Sequence, residues 1–237
     1  MNLFESGSSS AERYMLGFFV TPAGARHFDR YRLQAHGPTW DGEILRLTSG
    51  QADAERFAVS GRAEGAELDL ELISHDRPLR QRLRVHAETP DIDAGYLGQL
   101  DVLDDGGADP RTAYVLEEAP RVRLDPSPTH GWGTVAVMPL VAGSDVLPIR
   151  GPFSAVQTAY SFRTSTGRHV EPTGYGHFVN HACEPSCEIA YRPDGRPVLI
   201  ARRDLPAGTE ITFDYTATEG QLANSFTCLC PAETHKV

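Results

Sequence analysis

Two short stretches carry side chains that neither a packed core nor a simple turn requires. They are Gly176-His-Phe-Val-Asn-His-Ala-Cys-Glu-Pro-Ser-Cys187 and Glu210-Ile-Thr-Phe-Asp-Tyr215. The first puts an amide (Asn180), an imidazole (His181) and a thiol (Cys183) within four positions, directly after the apolar pair Phe178-Val179 that reads as a strand end. Polar residues leaving a strand are where binding and catalytic groups are usually presented. Asn180 can donate and accept hydrogen bonds at once, which suits a zwitterionic amino-acid group. Gly131-Trp132-Gly133 lacks two Cβ atoms, so its backbone can approach a ligand closely or can form a tight turn, and spacing alone leaves both readings open. The four cysteines fall in two tight pairs, Cys183/Cys187 and Cys228/Cys230, unlike the spread of a secreted disulfide scaffold. A metal site or free thiols follow from that spacing.

The elements that must position these groups read as strands. In Ala66–Ile73 the leucines 68, 70 and 72 alternate with Glu67, Asp69 and Glu71, the pattern of a half-exposed antiparallel strand. Shorter alternations at Ile44–Thr48, Arg82–His86 and Leu97–Val102, with turn clusters at Ser49–Gln51, Ala63–Gly65 and Asp104–Gly107, predict a barrel- or sandwich-like domain over residues 1–118. Trp40 is expected in its core. That half has no cysteine, and His27, His36, His75 and His86 show no metal-ligand spacing. The character changes near Glu117–Pro120. Strands are expected at Thr134–Met138, Asp145–Ile149, Thr158–Arg163, Pro197–Ala201 and Glu210–Tyr215, with a turn at Ser165–Gly167. Helix signals are scarce, so the fold class is mostly β.

A chain of 237 residues with 40% hydrophobic composition can bury an ordinary core in one large or two smaller domains. No run approaches the roughly 18 apolar residues of a membrane helix, and Met1–Arg13 shows no hydrophobic signal region, so the expectation is no membrane and a cytoplasmic setting. The Ser/Gly run Ser6–Ser10 is expected to fray. The net charge is -10, and residues 1–118 hold 21 Asp and Glu against 12 Arg, while residues 119–237 hold 11 against 10. Direct nucleic-acid binding needs clustered Lys and Arg and is not expected. A basic protein or peptide is the partner an acidic chain attracts.

Taken together and in order, Gly131-Trp132-Gly133, the Asn180-His181 segment, Glu210–Tyr215 and Cys228-Leu-Cys230 resemble the SET-domain methyltransferases, whose signatures read G-x-G, N-H-S-C-x-P-N, E-[LI]-x-F-D-Y and C-x-C. The resemblance implies small curved β-sheets with a pseudoknot over residues 119–237, where the Asn180 segment crosses the Phe213–Tyr215 segment. It implies S-adenosylmethionine as cofactor, contacted by Gly131, Trp132 and Gly133 through main-chain atoms and by His177, Phe178, Asn180, His181, Tyr215 and Phe226. Asn180 would hold the methionyl end and the His181 backbone would meet the adenine. Tyr215 is implied as the catalytic residue, its hydroxyl accepting from an amine and aiming the lone pair at the methyl group. A lysine amine has a pKa of about 10.4, so about one in 2500 is neutral at pH 7, and a dry channel beside a sulfonium lowers that value. The post-SET pattern implies a structural zinc held by Cys183, Cys228, Cys230 and His235, with Phe226 packed beneath and Cys187 a spare thiol.

Several positions depart from the family pattern. Ala182 and Ser186 stand for Ser and Asn, His235 for Cys, His177 for the arginine before Phe-x-Asn-His, and Ile149-Arg150-Gly151 for Tyr-x-Gly. The missing tyrosine belongs to the acceptor channel, and Tyr160, Tyr175 and Tyr191 are the candidates to replace it. The short stretch from Gly151 to Gly176 leaves an open acceptor groove. The expected function is S-adenosylmethionine-dependent N-methylation of a lysine side chain in a protein. A small-molecule acceptor, and a non-catalytic binding module on the same fold, are the alternatives.

Overall fold

The computed structural model describes residues 11–49, 53–91, 95–103, 112–219 and 222–235. The Ser6–Ser10 run, the Asp104–Gly107 turn and most of the Ser49–Gln51 turn lie outside the described residues. Two compact units divide the chain, Met1–Glu118 and Ala119–Val237.

The first unit is a closed eight-stranded barrel: β1 (Ala11–Val20), β2 (Arg26–His36), β3 (Thr39–Thr48), β4 (Glu55–Glu64), β5 (Glu67–Ser74), β6 (Arg80–Asp91), β7 (Gly95–Val102) and β8 (Thr112–Glu118). Each strand pairs antiparallel with the next, and β8 returns to β1 through Gly17↔Leu116, so the sheet has no free edge. The period-2 pattern sets the faces. Leu68, Leu70 and Leu72 of β5 are fully buried, and each contributes about 2 kcal/mol by leaving water. Asp69 and Glu71 point outward and pair with Arg82 and Arg80 of β6. Trp40 is buried at 1% exposure, as the sequence predicts.

The barrel interior also holds an ion pair. Arg46 donates to both carboxylate oxygens of Asp29 at 2.6 and 2.7 Å, and to Gln81 Oε1 at 2.7 Å. Its guanidinium lies between the rings of Phe19 and Phe57, 4.8 and 4.5 Å from their centroids. The Tyr114 hydroxyl donates to Asp29 at 2.8 Å, and the Tyr31 hydroxyl is 2.6 Å from that of Tyr114. Burial opposes the charge on Arg46, yet Asp29 more than offsets it and holds the guanidinium protonated. Gly17 makes this packing possible, because a Cβ there would sit 1.8 Å from the Tyr114 hydroxyl.

The second unit consists of small sheets. The hairpin β9 (Val122–Ser127) and β10 (Gly131–Ala136) carries the Gly131–Gly133 turn. Strands β11 (Asp145–Pro148), β17 (Pro197–Ala201) and β16 (Cys187–Tyr191) form one three-stranded sheet, and β12 (Phe153–Ser154), β14 (His169–Val170) and β13 (Phe162–Arg163) another. The remaining pair, β15 (Asn180–His181) and β18 (Thr212–Phe213), is parallel, with Asn180 opposite Thr212 and His181 opposite Phe213. The pairing sets the Asn180 and Phe213 segments side by side, where the family resemblance places their crossing. Among the described residues helix is confined to a 3-10 turn at Tyr175–Phe178 and α1 (Thr216–Glu219).

Two strand expectations fail in part. Of Glu210–Tyr215 only Thr212–Phe213 is strand, with Glu210 in an isolated bridge to Val135. Of Thr158–Arg163 only Phe162–Arg163 is extended, because the Thr158 and Ser161 hydroxyls bond back to the local main chain and close a turn instead.

Candidate active site

Ser186 ties the crossing together. Its N–H donates to Thr212 Oγ1 at 3.0 Å, its hydroxyl donates to the Glu210 carbonyl at 2.9 Å, and Thr212 N–H donates to the Ser186 oxygen at 2.9 Å. A short hydroxyl thus reaches the neighbouring backbone from the position where the family pattern has Asn. The segment then continues beside β10, where Ile211 N–H donates to Thr134 O at 2.7 Å and Ala136 N–H to Thr209 O at 2.9 Å. This register puts Glu210 under the Gly131–Gly133 turn.

Glu210 organises that turn and was not singled out by the sequence beyond its place in the motif. Asn180 Nδ2 donates to Glu210 Oε1 at 2.7 Å and to the Trp132 carbonyl at 3.0 Å, while Ser127 donates to Glu210 Oε2 at 3.0 Å. A Cβ on Gly133 would lie 2.3 Å from Glu210 Oε1 and 3.2 Å from Asn180 Nδ2, so any other residue would displace the carboxylate from its hydrogen bonds to Asn180 and Ser127. Gly131 has φ of +75°, the left-handed region glycine tolerates. Both amide protons of Asn180 are engaged, so Oδ1 is the atom the side chain still offers. That refines the expectation that Asn180 both donates to and accepts from a bound group: it is set up as an acceptor, suited to an ammonium.

His181 is buried at 2% exposure, and its ring works as a strut. Nδ1 accepts from the Tyr215 N–H at 3.2 Å, and Nε2 lies 3.3 Å from Cys183 Sγ. With Nδ1 accepting, the ring proton sits on Nε2 and faces the sulfur. One imidazole therefore joins the tyrosine segment to the cysteine cluster. Asp214 caps α1, its Oδ1 accepting from Thr216 N–H at 3.0 Å and Thr216 Oγ1 at 2.7 Å, a turn acceptor rather than a base.

The Tyr215 hydroxyl donates to the Val179 carbonyl at 2.8 Å. Its ring packs 4.7 Å from Phe213, 5.2 Å from His181 and 5.9 Å from Phe226. Burial, then the neighbouring Tyr160 and Glu210, pushes the phenol well above its ordinary range, so it is neutral. With its proton directed at Val179, the oxygen presents lone pairs elsewhere. Tyr215 lines a cavity of about 200 Å³ together with Tyr160, Phe162, His177, Phe213 and Phe226.

The remaining named residues fall into two groups. His177 belongs to this cavity and stacks on Tyr160 at 4.2 Å, with Phe178 edge-on to it at 5.2 Å. Gly131, Trp132, Gly133 and Asn180 gather at the glycine turn, and they do not line the cavity. Of the tyrosine candidates, Tyr160 lines the cavity, Tyr175 is in the core at 1% exposure, and Tyr191 is on the surface at 42%.

The structure brings Cys183, Cys228, Cys230 and His235 together, their ligand atoms all within 4.8 Å of one another. Cys183 Sγ is 3.8 Å from Cys228 Sγ and 4.0 Å from His235 Nδ1, which is also 4.0 Å from Cys230 Sγ. A zinc tetrahedron with Zn–S bonds of about 2.3 Å has S···S edges of about 3.8 Å, so the residues fit that ion. The Cys183 and Ala232 main-chain N–H groups hold Cys230 down to about 6, toward the thiolate a metal takes. Phe226 packs against the cluster. Cys187 stays apart, a buried thiol pushed up to about 11 by burial.

Small curved sheets with a parallel crossing, a glycine turn under a carboxylate and a neutral tyrosine at an aromatic cavity define a class of fold and site. The SET-domain family model matches residues 71–216, more than half of the chain, and this chain belongs to the SET-domain family. The match begins in the barrel at Glu71; three of the four motifs lie within it between Gly131 and Tyr215, and Cys228-Leu-Cys230 follows it. Among curated proteins the chain is similar to the histone-lysine N-methyltransferase, H3 lysine-4 specific, of Yarrowia lipolytica, 29% identical over 132 residues that cover 47% of this chain and 11% of that protein. The protein of the same description from Kluyveromyces lactis is 31% identical over 132 residues, 46% of this chain and 13% of that one. The probable histone-lysine N-methyltransferase set-23 of Caenorhabditis elegans is 42% identical over 64 residues, 24% and 25% of the two chains. The chain thus spans a small fraction of the length of these relatives. No helix among the described residues is long and apolar enough to cross a membrane.

Proposed function

We propose that this chain is an S-adenosylmethionine-dependent methyltransferase that methylates the amine of a lysine side chain in a basic protein or peptide, with the cytoplasm as its setting. The observation that carries the reading is the Tyr215 hydroxyl, a neutral phenol whose proton goes to Val179 O and whose lone pairs are left for a donor in the adjoining aromatic cavity. The similar curated proteins are described as histone-lysine N-methyltransferases, and the net charge of -10 suits a basic acceptor.

The cofactor supplies an electrophilic methyl on a sulfonium. The Gly133 cradle fits a group bound close to the main chain, and Asn180 Oδ1 is placed to accept from the amino-acid ammonium of that group. Gly131, Trp132, His181, Phe178 and Phe226 complete the proposed cofactor contacts, and His177 shares the cavity wall with the acceptor. Within the cavity Tyr160, Phe162 and Phe213 exclude water, which favours the neutral amine. Tyr215 accepts a hydrogen bond from one amine N–H and so fixes the direction of the nitrogen lone pair. The proton lost by the ammonium leaves to solvent. Cys183, Cys228, Cys230 and His235 would hold a structural zinc, which would tie the C-terminal segment that carries Phe226 to the Asn180–Cys183 segment.

The test is transfer of heavy methyl from labelled S-adenosylmethionine to lysine-rich peptides and to a lysate, read by mass spectrometry. Label on lysine supports the reading. Cofactor consumption without labelled protein points to a small-molecule acceptor, and cofactor binding without consumption sinks the enzyme reading.

A further inference from the structure

The cavity beside Tyr215 is not purely aromatic. Glu219, the last residue of α1, also lines it, and its side chain is only 8% exposed. The helix begins directly after Tyr215, and Glu219 N–H donates to Tyr215 O at 3.2 Å, so the two side chains are one helical turn apart and line one cavity. The carboxylate is held by neutral donors, Gln157 Nε2 at 2.9 Å on one oxygen and the Arg163 main-chain N–H at 2.9 Å on the other. His169 Nδ1 is 3.8 Å away, and among the described residues no Arg or Lys side chain pairs with it. A buried carboxylate whose one potential cationic neighbour is an imidazole at the edge of ion-pair distance is poorly compensated, and the cavity beside it can take a cation. Its field reaches Tyr191, whose phenol is raised by burial and then by Glu219.

We propose that Glu219 is a specificity-determining residue of the acceptor cavity, the anionic wall that draws in a primary alkylammonium group and sets it beside Tyr215. Aromatic rings and a carboxylate around a space of about 200 Å³ form a receptor for a cation on a slender apolar stem. This rests on the methyltransferase reading for its biological acceptor, while the recognition of the cation stands without it. Glu219 also clasps the short acceptor loop through Gln157 and Arg163, so a purely structural role is the rival account.

Glu219→Gln separates the two, because the amide is isosteric and a flip of Gln157 keeps both hydrogen bonds while the charge is lost. Binding of n-butylammonium and of neutral 1-butanol to the full chain is measured by NMR titration with S-adenosylhomocysteine present. The expected result is about tenfold weaker ammonium binding in Glu219→Gln, about 1.4 kcal/mol, with alcohol binding and thermal midpoint unchanged, and with restoration in Glu219→Asp. In methyl transfer, KM for a lysine peptide rises about tenfold and kcat changes less than about threefold. Equal ammonium binding by both proteins, or parallel loss of ammonium binding, alcohol binding and thermal stability, overturns the proposal. Charge-dependent ammonium binding in a protein that transfers no methyl overturns the methyltransferase reading alone.

Discussion

Replacing Tyr215 with phenylalanine deletes one oxygen and keeps the ring. The ring remains wedged against Phe213, His181 and Phe226, so no large cavity forms. The loss to folding is one hydrogen bond to Val179 O, about 1 kcal/mol, which lowers the midpoint of thermal unfolding by about 4 °C. A domain with an ordinary reserve of about 5–15 kcal/mol stays folded after such a change, so a loss of turnover beyond a few per cent cannot come from unfolding. The loss to chemistry is larger. Removing one well-placed polar partner of the reacting group in a dry site costs about 10²–10³-fold in kcat, about 3–4 kcal/mol.

The assay is the initial rate of heavy-methyl transfer to a lysine-rich peptide, with the Kd of S-adenosylmethionine measured in parallel by calorimetry. Tyr215→Phe is expected to lose 10²–10³-fold in kcat, with the cofactor Kd held within about threefold. A kcat within about threefold of the parent refutes the role given to the hydroxyl. A rate loss matched by an equal loss of cofactor affinity refutes it as well, since Tyr215 would then act on binding.

Gly133→Ala puts a Cβ 2.3 Å from Glu210 Oε1, so cofactor affinity is expected to fall at least about tenfold with about 1–3 kcal/mol of stability lost, read by calorimetry and thermal melts; unchanged Kd contradicts the cradle. One zinc per chain is expected by atomic emission, and His235→Ala should weaken retention against a chelator while His235→Cys restores it; equal retention in all three rules His235 out. Asp29→Asn leaves Arg46 buried without its counter-charge and should lower barrel stability by about 3–5 kcal/mol in urea unfolding, whereas a shift below 1 kcal/mol shows the pair is dispensable. Barrel stability should fall in acid. Burial lowers His27 below 6.5, and the Arg82 hydrogen bond lowers Asp69, while burial of Glu55 is outweighed by Arg77 and Ser74. Depressed folded-state values mean stability is complete above the unfolded values and is lost as pH falls, first below about 6.5 and again below about 4. A urea midpoint that is flat or rises from pH 8 to pH 3 contradicts this.

Legibility in the sequence followed the physics of each feature. The strand Glu67–Ser74 is readable because Leu68, Leu70 and Leu72 alternate with acids, a local pattern. Closure of the barrel is not readable, since pairing of β1 with β8 depends on twist and stagger summed over eight strands. The Asp29–Arg46–Gln81 cluster was invisible for a similar reason: its members lie on β2, β3 and β6, and charged residues in alternating strands read as outward-facing. Cys183, Cys228, Cys230 and His235 were legible as a group through the resemblance to the post-SET pattern, since the two tight cysteine spacings alone include Cys187 and leave His235 out. Glu219 gave no sequence signal, because its role follows from a helix too short to show periodicity.

The acceptor side shows why the glycine turn was easier to read than the cavity. The turn is built from contiguous motif residues, and any substitution at Gly133 meets Glu210 at once. The cavity is built differently. Ile149 is buried at 1% exposure, with Cδ1 3.2 Å from where a Cβ of Gly176 would be, so this position supports the backbone leading to His177 and presents no hydroxyl. The aromatic surface comes instead from Tyr160, on a turn pinned by the Thr158 and Ser161 hydroxyls and stacked on His177 at 4.2 Å. Ile149, His177 and Tyr160 therefore form one linked change: a ring delivered from the short 151–176 loop occupies the wall, and the histidine provides the flat surface that holds it. Under the proposed function, acceptor choice would be set by the loop and by Glu219, which fastens it through Gln157 and Arg163, and a swap of residues 155–163 alone should then move acceptor preference while leaving cofactor affinity where it was.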